Sequence, residues 1–147
     1  MVTEGIFEVP ESVMKLGENA FRGCDTIKWI KIPQSVTKIG DCCFVGCEEL
    51  QRVDMTEGLL SIGSSVCNNC PSITSIEIPS SVVRIGEGAF LACTNLTKLI
   101  FKNSKGWRKS GGGVFAKISS KVLSDPAKAA EALTKTTKYV TVGIERV

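Results

Sequence analysis

A 23-residue pattern runs four times without a gap from Val9 to Ile100, with copies starting at Val9, Ile32, Met55 and Ile78. Each copy carries the frame Ile-Pro-x-Ser-Val-x-x-Ile-Gly-x-x-Ala-Phe-x-x-Cys-x-x-Leu-x-x-Ile-x, with departures. No other feature limits the fold so tightly. One copy has too little apolar surface to form a core by itself, so consecutive copies must stack and bury matching faces. The period is too short for a propeller blade or a helix pair, and it suits a unit that makes one strand-bearing coil.

Stacking in register turns each frame position into a column. Leu16, Ile39, Ile62 and Ile85 form one apolar column, and Val13, Val36, Leu59 and Val82 another. Phe21, Phe44, Cys67 and Phe90 form a third, beside Ala20, Cys43, Val66 and Ala89. Ile27, Leu50, Ile73 and Leu96 lead to Ile30, Val53, Ile76 and Leu99, which close the coil. Each coil is predicted to hold a strand over Leu-x-x-Ile-x-Ile that stops at Pro, where a ladder donor is lost, and a second short extended piece at Val-x-x-Ile-Gly. The column Gly17, Gly40, Gly63 and Gly86 suggests a backbone bend that a side chain would obstruct. The stretch Gly-x-x-Ala-Phe-x-x-Cys has room for about two helical turns with Ala-Phe and Cys facing inward. The third coil departs most. It opens Met55-Thr56-Glu57-Gly58, and Cys67 gives up the volume of a phenylalanine that Val66 restores only in part, which predicts loose packing there.

The residues Ile27-x-x-Ile30-x-Ile32-Pro33 resemble the leucine-rich-repeat consensus, and the continuation Ser-Val-x-x-Ile-Gly-x-x-Ala-Phe-x-x-Cys resembles the BspA-like subfamily found in surface proteins of bacteria and some protists. The likeness covers about two thirds of the chain and recurs in tandem. It implies a leucine-rich-repeat solenoid of β-rich, right-handed coils with short helical turns. It also implies a binding scaffold, often displayed outside the cell and linked to adhesion, with no catalytic residues.

The frame is lost at Lys102-Asn103-Ser104-Lys105-Gly106. The expected division is a solenoid over residues 1–100 and a small α/β capping region over 101–147. The solenoid comprises a partial coil and repeats at 9–31, 32–54, 55–77 and 78–100. Within the cap, 107–113 reads as a loop and 114–123 as room for a short strand. Asp125 is an N-cap with Pro126 at the first helical position, and 139–144 alternates as a strand. At the other end, Ile6-Phe7-Glu8-Val9-Pro10 reads as the close of one coil and the start of the next. The expectation is therefore a piece of a longer, secreted chain, with a cytoplasmic protein as the alternative. Phe7, Val9, Val13 and Leu16 would then face outward as an apolar, strand-edged surface, and self-association is expected through it.

Up to residue 100 there are eight Lys/Arg against twelve Asp/Glu, and from 101 onward ten against three. The basic cluster of the second part has no interleaved aromatics and no nucleic-acid-binding motif, so it reads as a solvated face and not as a nucleic-acid site. No apolar run reaches the ~18 residues needed for a bilayer span. The chain has no histidine, which excludes Ser-His-Asp and Cys-His catalysis and histidine-bearing zinc sites. No cofactor or metal is expected. Cys67-Asn68-Asn69-Cys70 has redox-motif spacing, but both cysteines fall in core columns. Cys24, Cys47, Cys70 and Cys93 share one repeat position and read as a packing ladder, which leaves Cys42 as the candidate reactive thiol.

Function is expected on the exposed strand face, where side chains between the buried columns align across coils. One row is Ile6, Trp29, Arg52, Ser75 and Lys98; the other is Glu8, Lys31, Asp54, Glu77 and Ile100. Trp29 and Arg52 are residue types enriched in binding hot spots. The candidate partner-binding residues are Trp29, Lys31, Arg52, Asp54, Ser75, Glu77 and Lys98. Two functional readings remain open: a non-enzymatic protein- or glycan-binding module of a bacterial cell-surface or secreted adhesion protein, and an intracellular scaffold or regulatory module.

Overall fold

In Trp29-Ile30-Lys31-Ile32 every second residue is apolar and buried while its neighbours face outward, which makes a strand with one dry face. That short pattern, repeated at the coil period, builds the molecule. In a computed structural model the structure describes residues 2–109, 120–134 and 144–146. Strands β1 (Val2–Thr3) and β2 (Ile6–Glu8) form a hairpin. Four coils follow, each giving a short and a longer strand. These are β3 (Lys15–Leu16) and β4 (Trp29–Ile32), then β5 (Lys38–Ile39) and β6 (Arg52–Met55). Next come β7 (Ser61–Ile62) and β8 (Ser75–Ile78), then β9 (Arg84–Ile85) and β10 (Lys98–Phe101).

Parallel pairing keeps the coils in register, with Leu16, Ile39, Ile62 and Ile85 opposite one another and Phe7, Ile30 and Val53 likewise. The short strands form one continuous sheet. The longer ones form β1-β2-β4-β6 and a separate pair, β8-β10. All three sheets turn their apolar side chains into a shared core.

The segment expected to make about two helical turns is built differently. Phe21, Phe44 and Cys67 donate their N–H groups to the next coil, to Cys43 O at 2.9 Å, Val66 O at 2.8 Å and Ala89 O at 2.7 Å. Between these bonds, amides such as Cys24 and Cys93 bond three residues back, to Phe21 O and Phe90 O. A regular helix would use every amide internally and leave none to hold the next coil. Positive φ angles at Asn19 (58°), Cys42 (56°), Ser65 (52°) and Gly88 (62°) interrupt any helix at the same point of each coil.

The glycine column also has a different cause from the one expected. Its members do not sit at positive φ. Instead, a Cβ on Gly40 would lie 2.7 Å from Gly17 C, one on Gly63 2.6 Å from Asp41 N, and one on Gly86 2.3 Å from Ser64 N. Gly17, with no coil before it at this point, has nothing within 4 Å. The column marks where one coil's backbone lies against the backbone of the coil before it.

The cysteine ladder is more than filler. Cys47 Sγ donates to Phe21 O at 3.0 Å, Cys70 Sγ to Phe44 O at 2.9 Å and Cys93 Sγ to Cys67 O at 2.8 Å. A thiol is small enough for the core and still supplies a weak donor to a buried carbonyl of the preceding coil.

The third coil, where the sequence predicts loose packing, has a small local defect at Cys67. Phe7, Phe21 and Phe44 contact one another in series, Phe7 edge-on to Phe21 at 5.2 Å and Phe21 stacked on Phe44 at 5.6 Å between centroids. The series stops at Cys67, which is buried. A void of about 10 Å³ remains there, walled by Phe44, Met55, Val66, Cys67, Phe90 and other apolar residues. Such a lining keeps a void of this size dry. The ladder between β6 and β8 is missing in the same coil.

After Phe101 come β11 (Trp107–Lys109), α1 (Ser120–Leu123), α2 (Pro126–Thr134) and β12 (Ile144–Arg146). Asp125 Oδ1 accepts from the amides of Ala127 and Lys128, at 3.1 and 3.2 Å, which makes it the N-cap with Pro126 in the first turn. Residues 107–109, expected in a loop, are a strand because β12 offers them a ladder, and Trp107 is buried edge-on to Phe101. Residues 120–123, at the end of the stretch with room for a short strand, are helical, and Leu123 is buried. The rest of the expected strand at 114–123, the Ser110-Gly113 run, and 139–143 lie outside the described residues. β12 extends the short-strand sheet at β9, and α2 lies over β10. Ala92 N–H, at the position where earlier coils bond forward, reaches Thr134 O at 3.3 Å. At the opposite end β1 pairs with the edge of β2, and Val9 and Leu16 are buried, so the apolar surface expected there is reduced to partly exposed Phe7, Val13 and Phe21.

Three variants test this account. Gly63→Ala is expected to cost about 1–3 kcal/mol in urea unfolding, against no more than about 0.5 kcal/mol for Gly17→Ala; equal costs would remove the coil-contact explanation. The paired exchange Val66→Ala, Cys67→Phe restores the frame and the side-chain volume that the native pair lacks, and it should raise the thermal midpoint by about 2–4 °C.

Candidate functional site

Outward positions on the longer strands are set by the pleat, and the parallel register brings them side by side. Trp29 stands next to Arg52 and Lys31 next to Asp54, with Glu8 on the other side of Lys31. These side chains interlock. The Arg52 guanidinium lies over the Trp29 ring at 4.3 Å and the Lys31 ammonium at 4.8 Å from its centroid. Trp29 Nε1 donates to Asp54 Oδ2 at 3.0 Å, while Arg52 Nε donates to Asp54 Oδ1 at 2.6 Å. Lys31 Nζ donates to Glu8 Oε1 at 2.5 Å. That bond, with the Lys31 charge, holds the Glu8 carboxyl below its ordinary pKa. Trp29 is thus half-buried by its own neighbours, and its indole is fixed in one orientation by a cation on the ring and a carboxylate at its edge.

Ser75, Glu77 and Lys98 form a second group, beyond the interrupted ladder between β6 and β8. Ser75 and Lys98 are paired in register and exposed, and Glu77 is drawn towards Lys102, whose Nζ is 2.8 Å away. Of the seven residues expected on this face, four therefore make one cluster and three stand apart. Sequence reading omitted Glu8 and Lys102 from the site. Both were findable, since each lies at outward spacing beside an opposite charge one coil away.

The structure also shows a concavity of about 270 Å³ at the end of the face, lined by Glu8, Val9, Glu11, Lys31, Ile32, Pro33, Asp54 and Thr56. Thr56 stands where the frame has proline, and its hydroxyl donates to Ile32 O at 3.2 Å. The concavity joins the Trp29 cluster through Lys31 and Asp54.

All seven thiols are free, and five are buried. Burial pushes Cys43 and Cys93 up to about 12 and Cys47 up to about 11. The adjoining Cys70 thiol and burial raise Cys67 well above its ordinary value. Cys24 and Cys42 are partly exposed. Among the described residues no group of three or more His, Cys, Asp or Glu could hold a metal ion, and no helix is long and apolar enough to cross a membrane.

Stacked coils whose strands pair in parallel from one coil to the next, a shared core and an exposed face of longer strands define a leucine-rich-repeat solenoid. Residues 6–131 match, in six copies, the model of the BspA type leucine rich repeat region, and the chain belongs to that family. Among solved structures, a leucine-rich repeat protein from Bacteroides ovatus is 31% identical, with a TM-score of 0.60 over 69% of this chain and 30% of its own. A leucine rich repeat protein from T. pallidum is 26% identical, with a TM-score of 0.51 over 65% of this chain and 57% of its own. A leucine rich cell surface protein from Faecalibacterium prausnitzii is 27% identical, with a TM-score of 0.51 over 69% of this chain and 33% of its own. The chain thus spans between 30% and 57% of the length of these relatives. No curated protein matches it.

Thiol chemistry gives a direct check on the core. At about pH 8 an aromatic disulfide reagent is expected to modify Cys24 and Cys42 in the folded chain, and all seven cysteines after denaturation. Equally fast modification of Cys43 or Cys93 would contradict the packing described.

Proposed function

We propose that this chain is a non-catalytic binding module that engages a protein or glycan through the exposed face of its longer strands, as part of a bacterial cell-surface or secreted adhesion protein. Residues 1–100 present the face, and residues 101–147 serve as the cover of the last coil. The observation that carries this reading is the interlocked group Trp29, Lys31, Arg52 and Asp54 beside the 270 Å³ concavity. A ring and a guanidinium held in place before the ligand arrives lose little conformational freedom on binding, which is how a few residues come to dominate an interface. Ser75, Glu77 and Lys98 extend the surface to the later coils. Family membership supports a repeat-based interaction module, and one of the similar structures is named a cell surface protein.

The alternative, an intracellular scaffold or regulatory module, is favoured by one observation. All seven thiols are free, as a reducing compartment would keep them. Fractionation of the producing cells separates the two locations.

Binding of the immobilised chain to extracellular-matrix proteins and glycans, at low and high salt, tests the main reading. Saturable binding that persists in salt and weakens at least about tenfold in Trp29→Ala, Arg52→Ala is the expected result. Binding indifferent to that double substitution would move the ligand off this face. Binding that simply vanishes with salt would point to the basic residues after position 100.

A further inference from the structure

Among the described residues three large apolar side chains are exposed, Met14, Leu60 and Val83. All three occupy the same position of the repeat, and Thr37 fills it in the remaining coil. Amide bonds from Thr37 to Met14 O, Leu60 to Thr37 O and Val83 to Leu60 O, each 2.9 Å, stack them in one row. The next residue of each coil makes an adjoining row on β3, β5, β7 and β9: Lys15, Lys38, Ser61 and Arg84. Lys15, Lys38 and Arg84 are exposed, and among the described residues their side chains have no ion-pair or hydrogen-bond partner. Glu145 of β12, opposite Arg84, ends the basic row.

We propose that this double row is a second docking surface, which receives an amphipathic helix of a protein partner carrying acidic residues along one side of its apolar stripe. The spacing fits. Coils recur every ~4.8 Å and helix turns every ~5.4 Å, so over three steps the rows drift apart by only about 2 Å. A helix of about twelve residues therefore sets an i, i+4, i+7, i+11 apolar stripe along Met14, Thr37, Leu60 and Val83, with its acidic flank over Lys15, Lys38 and Arg84.

Charge also selects the width of the partner. Three residues beyond the basic row lies an acidic one, Glu18, Asp41 and Glu87, and three residues before the apolar row lie Glu11 and Glu57. A bilayer with anionic headgroups, or a nucleic acid, would press on the acidic rows as well as the basic one. A single helix, ~10 Å across, covers the two favourable rows alone. This surface lies along the short-strand sheet and the Trp29 face on the longer strands, on different sheets around the core, so the inference does not depend on the adhesive reading.

Fluorescence anisotropy with the intact chain and three labelled helical peptides tests it: one with a leucine stripe flanked by glutamates, a scramble of the same composition, and one with lysines replacing the glutamates. The first is expected to bind saturably and the other two at least about tenfold more weakly. Lys15→Glu, Lys38→Glu should weaken the first by about tenfold and restore binding of the lysine peptide; Leu60→Ser should weaken both. All these positions are exposed, and an unchanged thermal midpoint confirms that each variant is folded. No binding of the first peptide, equal binding of its scramble, indifference to the charge reversal, or capture of the chain by phosphatidylglycerol vesicles but not by the peptide would each overturn the proposal. The strand-face ligand takes no part in the assay, so either result leaves that reading standing.

Discussion

Successive coils touch backbone to backbone at the glycine column, with a built Cβ at Gly40, Gly63 or Gly86 falling within 2.3–2.7 Å of the preceding coil. Much else depends on that approach. It lets Gly40, Gly63 and Gly86 donate to Leu16 O, Ile39 O and Ile62 O at 2.8–2.9 Å, and it keeps Leu16, Ile39, Ile62 and Ile85 opposite one another. A bulkier residue would push neighbouring coils apart and stretch these bonds together, because a solenoid holds each unit only through its neighbours.

The same demand for contact between coils explains why the Ala-Phe-x-x-Cys stretch is a run of turns. Its alternate amides are needed by the next coil, and the left-handed residues at Asn19, Cys42, Ser65 and Gly88 rotate them outward. Carbonyls of this layer, at Phe21, Phe44 and Cys67, also accept from the thiols of Cys47, Cys70 and Cys93. Three kinds of donor thus serve one purpose. Where a coil departs from the frame, as at Cys67, the result is local: a small dry void and an interrupted ladder, while the short-strand sheet continues past it.

That interruption also shapes the strand face. Across it β6 and β8 stay side by side, but the bonded cluster of Trp29, Lys31, Arg52 and Asp54 does not reach Ser75, Glu77 or Lys98, so what the pattern presents as one surface is two groups with different chemistry. The first is an aromatic clamped between charges, and the second is polar and open. On the short-strand sheet an apolar row runs beside a basic one, and acidic rows bound both. Both surfaces are products of periodicity: one repeat position makes one row, so a few substitutions in the frame write a stripe.

By itself the sequence determined the coil, its register, the buried columns and the outward rows, because a strict period leaves only one way for identical units to stack. It also marked Asp125 and Pro126 as a helix start, a local signal that tertiary context left intact. Tertiary structure decided what depends on a neighbour. It showed that the glycines are small for the sake of the adjacent backbone and that 107–109 becomes a strand because β12 is there to pair with it. The interlocking of Trp29 with Arg52, Lys31 and Asp54 was legible only as proximity, since the register places residues side by side but does not orient their rings and charges. The 270 Å³ concavity was not legible at all, because its walls come from three coils and its shape depends on how side chains at Glu8, Lys31 and Asp54 turn once they have found their partners.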